Sequence, residues 1–257
     1  MASTWLAAAA MTAALSAPGA LSNETSVTAP PAPAPFATLT PVALTQRAPA
    51  RWRTAVCAGV TGIGGESAQY VVDRVSQRAR ELGLRVGAPG CSPNLLVVFS
   101  DDPDGQARSI ARERSDPASA TGISGETMGQ AAFQEFLRTD RPIRWWRVTR
   151  PVVDTGQVAA RDVRNGEAPR VNVTEPGRLA STTRAAFSHV IVIADMAQVN
   201  GKSLGALADY MAMVALAPVE LMADSNGYPS ILGMFADNAP ATEMTAADEA
   251  YLREIYR

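Results

Sequence analysis

The stretch LGALADYMAMVALA, residues 204–217, constrains this chain most, because apolar residues occupy every face of the helix that it predicts. At about 1.5 Å rise per residue such a helix is roughly 20 Å long, which is too short to cross a bilayer. A helix that is apolar all round belongs in the core of a domain. The sequence therefore predicts a buried central helix.

Asp209 is the only charge in this helix. A buried carboxylate has to be ion-paired, hydrogen-bonded or neutralised, because an isolated charge in a low-dielectric interior costs several kcal/mol. Asp209 therefore needs a partner elsewhere in the chain. Two interpretations remain open, a structural hydrogen-bond acceptor and a catalytic acid or base, and the first is favoured because structural networks often bury acids.

The segment ADYMAMVAL, residues 208–216, resembles the zincin metalloprotease helix pattern H-E-x-x-H-x-x-G-L. Further on, Ser230-Ile231-Leu232 is similar to the S-I-M of a Met-turn, with Leu in place of Met, and the last helix resembles the closing helix of such domains. On this alignment Ala208 and Ala212 occupy the two His positions, and Asp209 occupies the general-base Glu position. Ala215 occupies the Gly position, and Pro218 the third-ligand position of the metzincin branch.

The resemblance implies a zincin-like scaffold that lacks its metal. A catalytic zinc site needs three N, S or O ligands from the protein, and alanine supplies none. The expectation is therefore no metal, no cofactor and a chain that leans away from being an enzyme. The LADYxAM helix and the SILxxF turn also resemble a family of uncharacterised exported bacterial proteins, a likeness that implies no activity.

Three regions are predicted along the chain. Residues 1–21 contain the apolar run WLAAAAMTAALSA followed by small residues, which is typical of a signal peptide, although no Lys or Arg precedes the run. Residues 22–50 are rich in Pro and Ala and predict a disordered linker. Residues 51–257 are long enough for one globular domain. A periplasmic or secreted location follows, with no membrane span in the mature chain.

The two cysteines, Cys57 and Cys91, form an even count in a chain that is expected to be exported. Oxidising compartments pair thiols, so we expect a disulfide between them. The alternative, a catalytic thiolate, would need a base nearby, and His189 is the only histidine in the chain.

Charge composition excludes some classes of partner. The formal net charge is only −2 and no basic tract dominates, so neither nucleic acid nor an anionic membrane surface is indicated. Arginines do recur every third residue from 138 to 150, around two tryptophans. This pattern has two interpretations, a binding surface for a glycan or an acidic partner and a sheet strand with one Trp buried and Arg stems that cover apolar surface, and the second is favoured. The surface candidates are Arg144, Trp145, Trp146 and Arg147.

Hydrophobic periodicity predicts an α+β or α/β fold with a small mixed sheet and packed helices, in a zincin-like arrangement. The glycine pattern at 62–67 approximates a dinucleotide fingerprint but lacks its third glycine. The acidic residues at 101–105 could hold Ca²⁺ or form a solvated turn, and the turn is favoured; residues 106–125 are expected to be irregular. Strands are predicted at 54–60, 95–99, 144–149 and 189–194, and helices at 67–82, 126–137, 204–217 and 245–256.

Together these patterns predict an exported, non-catalytic domain that binds an envelope or extracellular protein or glycan. The alternative is a hydrolase that uses an unrecognised site around Asp209, with Lys202, His189 or Tyr210 near it. An Asp209 in an open cleft would favour the hydrolase, and an Asp209 sealed by hydrogen-bond donors would favour the binding domain.

Overall fold

Parallel strands with almost continuous apolar sequence form the centre of the molecule. The computed structural model describes residues 49–113, 129–153, 183–220, 229–236 and 241–257. Runs such as LLVVFS are buried on both faces, which is the pattern of a parallel sheet covered by helices on each side. The strands of the described residues are β1 Arg51–Trp52, β2 Ala58–Thr61, β3 Leu95–Ser100, β4 Ile143–Val153 and β5 Thr183–Asp195.

The sheet has the order β2-β3-β5-β4, and β1 runs beside the first half of β5. Leu95 of β3 pairs with Val190 of β5 in parallel, and Ala58 of β2 pairs with Leu95 in the same sense. β4 is antiparallel to β5 along its whole length, with an irregularity between Val148 and Thr149. The sheet is therefore parallel except for one antiparallel strand beside β5.

Helices fill both sides of this sheet. The helices of the described residues are α1 Gly65–Glu81, α2 Pro103–Glu113, α3 Gly129–Arg138, α4 Met196–Val199, α5 Leu204–Leu216 and α6 Ala246–Tyr256, with a 3-10 turn at Ile231–Gly233.

Two adjacent tryptophans of β4 show how the layers are arranged. Successive side chains of a strand point to opposite faces of the sheet. The ring of Trp145 lies 6.3 Å from that of Tyr210 on α5, whereas the ring of Trp146 lies 5.0 Å from that of Phe133 on α3. Helices α5 and α3 therefore cover opposite faces. Helix α1 packs against α5 and α2 packs against α3, so the predicted α/β class is confirmed as helices on both faces of a sheet.

Most predicted elements are present. The four predicted strands and four predicted helices all have counterparts, although β4 and β5 are several residues longer than expected. The proposed signal peptide 1–21 and all but the end of the linker 22–50 lie outside the described residues.

One local prediction is wrong. Residues 103–113, expected to be an acidic turn followed by irregular chain, form helix α2. The side chain of Asp102 accepts a hydrogen bond from the amide of Gly105, and its carbonyl accepts one from Gln106. Asp102 thus caps the helix, and Pro103 occupies its first position, where a missing N–H costs nothing. Asp and Pro are common in turns, but here they form the start of a helix.

The predicted disulfide is present. Cys57 and Cys91 are joined, with 6.2 Å between their Cα atoms, and no other cysteine occurs in the chain. The bond ties the start of β2 to the loop before β3. Asn94 reinforces the same junction, because its side chain accepts from the amide of Cys57 and donates to the carbonyl of Ala55.

Gly62, between β2 and α1, provides a test of this packing. Its φ is +88°, and a Cβ there would overlap the carbonyl oxygen of Phe99 on β3, so Gly62→Ala should lower the free energy of unfolding by about 2 kcal/mol or more. Gly65→Ala is the matched control, since a Cβ at Gly65 meets no heavy atom within 4 Å. That variant should be neutral or slightly stabilising. Urea unfolding of both variants checks this, and equal losses would contradict it.

Candidate functional site

Asp209 lies in the middle of α5 and is 0 % exposed. Helix α5 begins at a Ser203 cap, whose hydroxyl accepts from the amide of Ala206. From there the helix runs along α1, where Arg74 and Arg78 are one turn apart and therefore lie on the same face. The only charge of the apolar helix thus meets two arginines.

Both arginines hold the Asp209 carboxylate with two nitrogens each. Nε and Nη2 of Arg74 donate to Oδ1 and Oδ2 at 2.8 Å. Nε and Nη2 of Arg78 donate to the same two oxygens at 3.0 and 3.2 Å. Bidentate pairs of this kind combine charge with fixed geometry and are among the strongest polar contacts in proteins.

A backbone amide completes the coordination. The N–H of Met244, two residues before α6, donates to Oδ2 of Asp209 at 2.9 Å. Burial by itself raises the pKa of the Asp209 carboxyl, but the hydrogen bonds from Arg74, Arg78 and the Met244 amide outweigh it. The pKa therefore lies below the usual aspartate value, and the group is ionised at neutral pH.

This coordination limits what Asp209 can do chemically. A carboxylate offers about four lone-pair positions, and Asp209 accepts from five N–H groups, on Arg74, Arg78 and Met244. A general base needs an oxygen within hydrogen-bond reach of the substrate proton. In the described structure both Asp209 oxygens are engaged and buried, so the carboxylate joins α1, α5 and the start of α6 as a structural acceptor.

The residues at the positions that would correspond to zinc ligands are buried or half-buried. Ala208 and Ala212 are one turn apart on α5 and are 0 % exposed, and Pro218 is half-buried. Their helix face therefore contacts protein rather than an open cleft. Within the described ranges, no group of three His, Cys, Asp or Glu side chains is arranged to hold a metal ion.

The other residues proposed for a hydrolase do not contribute donors to Asp209. Lys202 donates to the carbonyl oxygen of Met234 at 2.8 Å, and its Nζ lies 5.6 Å from the ring centre of Phe235. Tyr210 is buried, and desolvation raises the pKa of its phenol to about 12. His189 is half-buried on β5, where it pairs with Val148 of β4.

The surface interpretation of the tryptophan and arginine cluster is wrong. Arg144, Trp145, Trp146 and Arg147 are 2, 1, 5 and 3 % exposed, because helices cover both faces of β4. The alternative interpretation, a sheet strand with one Trp buried, is right about the strand, but both tryptophans are buried. Burial without a strong counter-charge lowers the pKa of Arg147 to about 10; Glu220, 4.0 Å away, opposes that shift only in part.

These buried side chains act as hydrogen-bond donors to helix ends. Arg144 donates to the carbonyls of Phe136 and Thr139 at the end of α3. At the end of α5, the last carbonyls have no partner within the helix. Those of residues 215 and 216 accept from Trp52 of β1 and Tyr256 of α6, and just after the helix the carbonyls of residues 217 and 219 accept from Arg147 and Trp145 of β4.

A second buried carboxylate is Asp248, whose spacing from Thr245 in the sequence predicts a capping box at the start of the last helix. That box is present at the start of α6. Asp248 also accepts from the hydroxyl of Ser230 at 2.6 Å and from the amide of Ile231 at 2.9 Å. It therefore ties the Ser-Ile-Leu turn to the last helix. No local sequence signal links Ser230 to Asp248.

Comparison with known proteins adds no relative to this picture. No family model, curated protein or solved structure matches the chain. In the part of the chain that the structure describes, no helix has both the length and the apolar character needed to span a membrane.

Substituting Asp209 tests its structural role. Asp209→Asn removes the charge that both arginines share, and breaking a buried ion pair from one side costs about 3 to 5 kcal/mol. We expect a loss of that order in the free energy of unfolding at pH 7, measured in urea. Asp73→Asn on the exposed face of α1 is the control and should change stability by less than about 0.5 kcal/mol. Equal effects of the two variants would contradict the structural role.

A comparison of the wild type with Asp209→Asn also allows a prediction about pH. Because the folded pKa of Asp209 is below the unfolded value, its stabilisation is complete above the ordinary aspartate pKa of about 3.9 and is lost as pH falls through the folded pKa. The difference in stability between wild type and Asp209→Asn should be constant from about pH 5 to 8 and shrink in more acidic solution. Urea unfolding of both proteins, measured from pH 8 into the more acidic range where the difference should shrink, checks this prediction. A difference that grows on acidification would refute the assignment.

Proposed function

We propose that this chain is an exported, non-catalytic domain on a zincin-like scaffold, which acts by binding an envelope or extracellular protein or glycan. The observation that carries the proposal is the state of Asp209. The residue that aligns with the catalytic glutamate of a zincin accepts from two arginines and one amide and has no exposed surface. A residue held in this way stabilises the fold.

The two histidine positions of the motif support the same proposal. A zincin helix presents two His one turn apart, and the aligned residues here are Ala208 and Ala212. In an active enzyme that face would need solvent access for substrate and water. Both alanines are instead buried in the apolar core.

Export is supported by two features of the chain. An apolar run of signal-peptide length begins at residue 5, and small residues follow it. Cys57 and Cys91 form a disulfide, a bond that persists mainly in oxidising compartments. A partner in the envelope or outside the cell is then the natural target of a domain with no chemistry of its own.

The alternative, a hydrolase centred on Asp209, needs a substrate to reach the carboxylate. Lys202 and Tyr210 would have to leave their present contacts with Met234 and Phe235 to assist it. No contact of the described residues favours that rearrangement, so the binding domain remains the proposal.

Expression of the full chain in a host with a periplasm tests the proposal. We expect processed, oxidised protein in the periplasmic fraction, with zinc far below one equivalent by elemental analysis. It should show no esterase, peptidase or glycosidase turnover that Asp209→Asn abolishes. In vivo crosslinking should give a discrete adduct with an envelope component.

A chain that lacks residues 1–21 is the matched control, since it should stay in the cytoplasm, with reduced cysteines and without the adduct. Stoichiometric zinc, or turnover lost in Asp209→Asn, would overturn the non-catalytic assignment. Cytoplasmic retention of the full chain would overturn export, and absence of any envelope adduct would overturn the binding role.

A further inference from the structure

The end of the chain forms one internally bonded unit, which we call the closing segment and define as residues 229–236 and 241–257. Asp248 holds its two stretches together through Ser230 and Ile231 on one side and Thr245 on the other. The hydroxyl of Thr245 also donates to the carbonyl of Pro229 at 2.7 Å. The bonds that give this segment its shape therefore lie inside it.

Both apolar and polar contacts attach the closing segment to the rest of the domain. Its buried apolar residues are Ile231, Met234, Met244, Leu252 and Ile255, and six more pack partly buried against the core, whereas every residue of α5 from Ala206 to Leu216 is buried. Hydrogen bonds and ion pairs join the closing segment to α1, α5, β1 and the loop before α5, through Met244 on Asp209, Glu249 on Arg78, Tyr256 on Leu216, Arg51 on Ile255 and Lys202 on Met234.

An ion pair crosses this boundary, from Arg78 of α1 to Glu249 of α6. On the body of the domain, Arg74 and Arg78 are balanced by Asp209 and Glu81. On the closing segment, Glu249 is balanced by Arg253, 2.7 Å away. Separation of the two parts therefore breaks the Arg78–Glu249 pair but leaves Arg78 paired with Asp209 and Glu81, and Glu249 paired with Arg253. Asp209 keeps both arginines and loses only the Met244 amide, so opening avoids the large cost of an unpaired buried charge.

A small cavity lies at the same boundary, between α1 and α6. Its volume is about 20 Å³, room for about one water molecule, and it is partly open to solvent. Arg78, Leu82, Met244 and Leu252 are among its lining residues. Elements with solvated polar contacts and fewer apolar ones are those that open first in native proteins.

We propose that the closing segment is a salt-sensitive latch, which opens from α1 and α5 as one unit while the sheet, α1 and α5 stay folded. Opening exposes Oδ2 of Asp209 and the carbonyl end of α5. The pair Arg78–Glu249 is the contact that sets the opening equilibrium through charge, because it is the ion pair that joins α1 to α6 across the cavity. This goes beyond the proposed function, since it concerns a conformational change of the domain itself.

Hydrogen exchange of the full chain, followed by mass spectrometry, tests the latch. Amides in 231–236 and 246–256 should share one protection factor, lower than that of α5. Glu249→Gln should speed exchange in both stretches by about 2- to 5-fold at low salt, the range expected for a partly exposed ion pair, and the difference should fade in about 1 M salt. Exchange in α5 should not change.

Glu254→Gln is the matched control. It removes the same charge from the same helix and also breaks one pair within α6, to Arg257, but Glu254 does not bridge to α1. This variant should leave 231–236 unchanged. Equal effects of the two variants would overturn the role of the Arg78 contact, and equal protection of α5 and the closing segment would overturn independent opening.

A second variant tests the unity of the segment. Asp248→Asn weakens the bonds between its two stretches, so the protection factors of 231–236 and 246–256 should separate. If the two stretches already exchange independently in the wild type, or still exchange together in this variant, Asp248 does not couple them and the proposed unit is wrong.

Discussion

The ion pair of Asp209 with Arg74 and Arg78 is the interaction on which the arrangement of the helices depends. It places a negative charge in the middle of the most apolar of the described helices, where an unpaired charge would cost several kcal/mol and two guanidinium groups compensate it. Helix α5 can therefore enter the core only in register with α1. The Met244 amide on the same carboxylate extends this constraint to the start of α6.

The buried end of α5 imposes a second constraint. A helix that ends inside a protein leaves carbonyl groups without partners, and each unsatisfied group costs free energy comparable to a lost hydrogen bond. Trp52, Trp145, Arg147 and Tyr256 supply the missing donors from β1, β4 and α6. This explains why large polar-tipped side chains occupy the interior. It also brings the first and last described elements against the same helix end.

Local patterns predicted elements better than they predicted exposure. The apolar run of β5, the amphipathic period of α1 and the capping box of α6 each depend on residues close in sequence, and each was found where expected. Helix α2 was missed because Asp102 and Pro103 occur both in turns and at helix starts. The tryptophans and arginines of β4 left a surface interpretation open and predicted at most one buried Trp, since the alternation of a strand does not reveal whether helices cover one face or both.

The sequence by itself determined that a nearly uncharged helix must be buried, that its one carboxylate must have a partner, and that the two cysteines could pair. Those conclusions follow from transfer free energies and residue chemistry, which do not depend on how the chain folds. Only the tertiary structure decided which residues cover the helix and which residues pair with its carboxylate. Arg74 lies 135 positions from Asp209 and Ser230 lies 18 positions from Asp248, and contacts between such residues depend on how whole helices and strands pack.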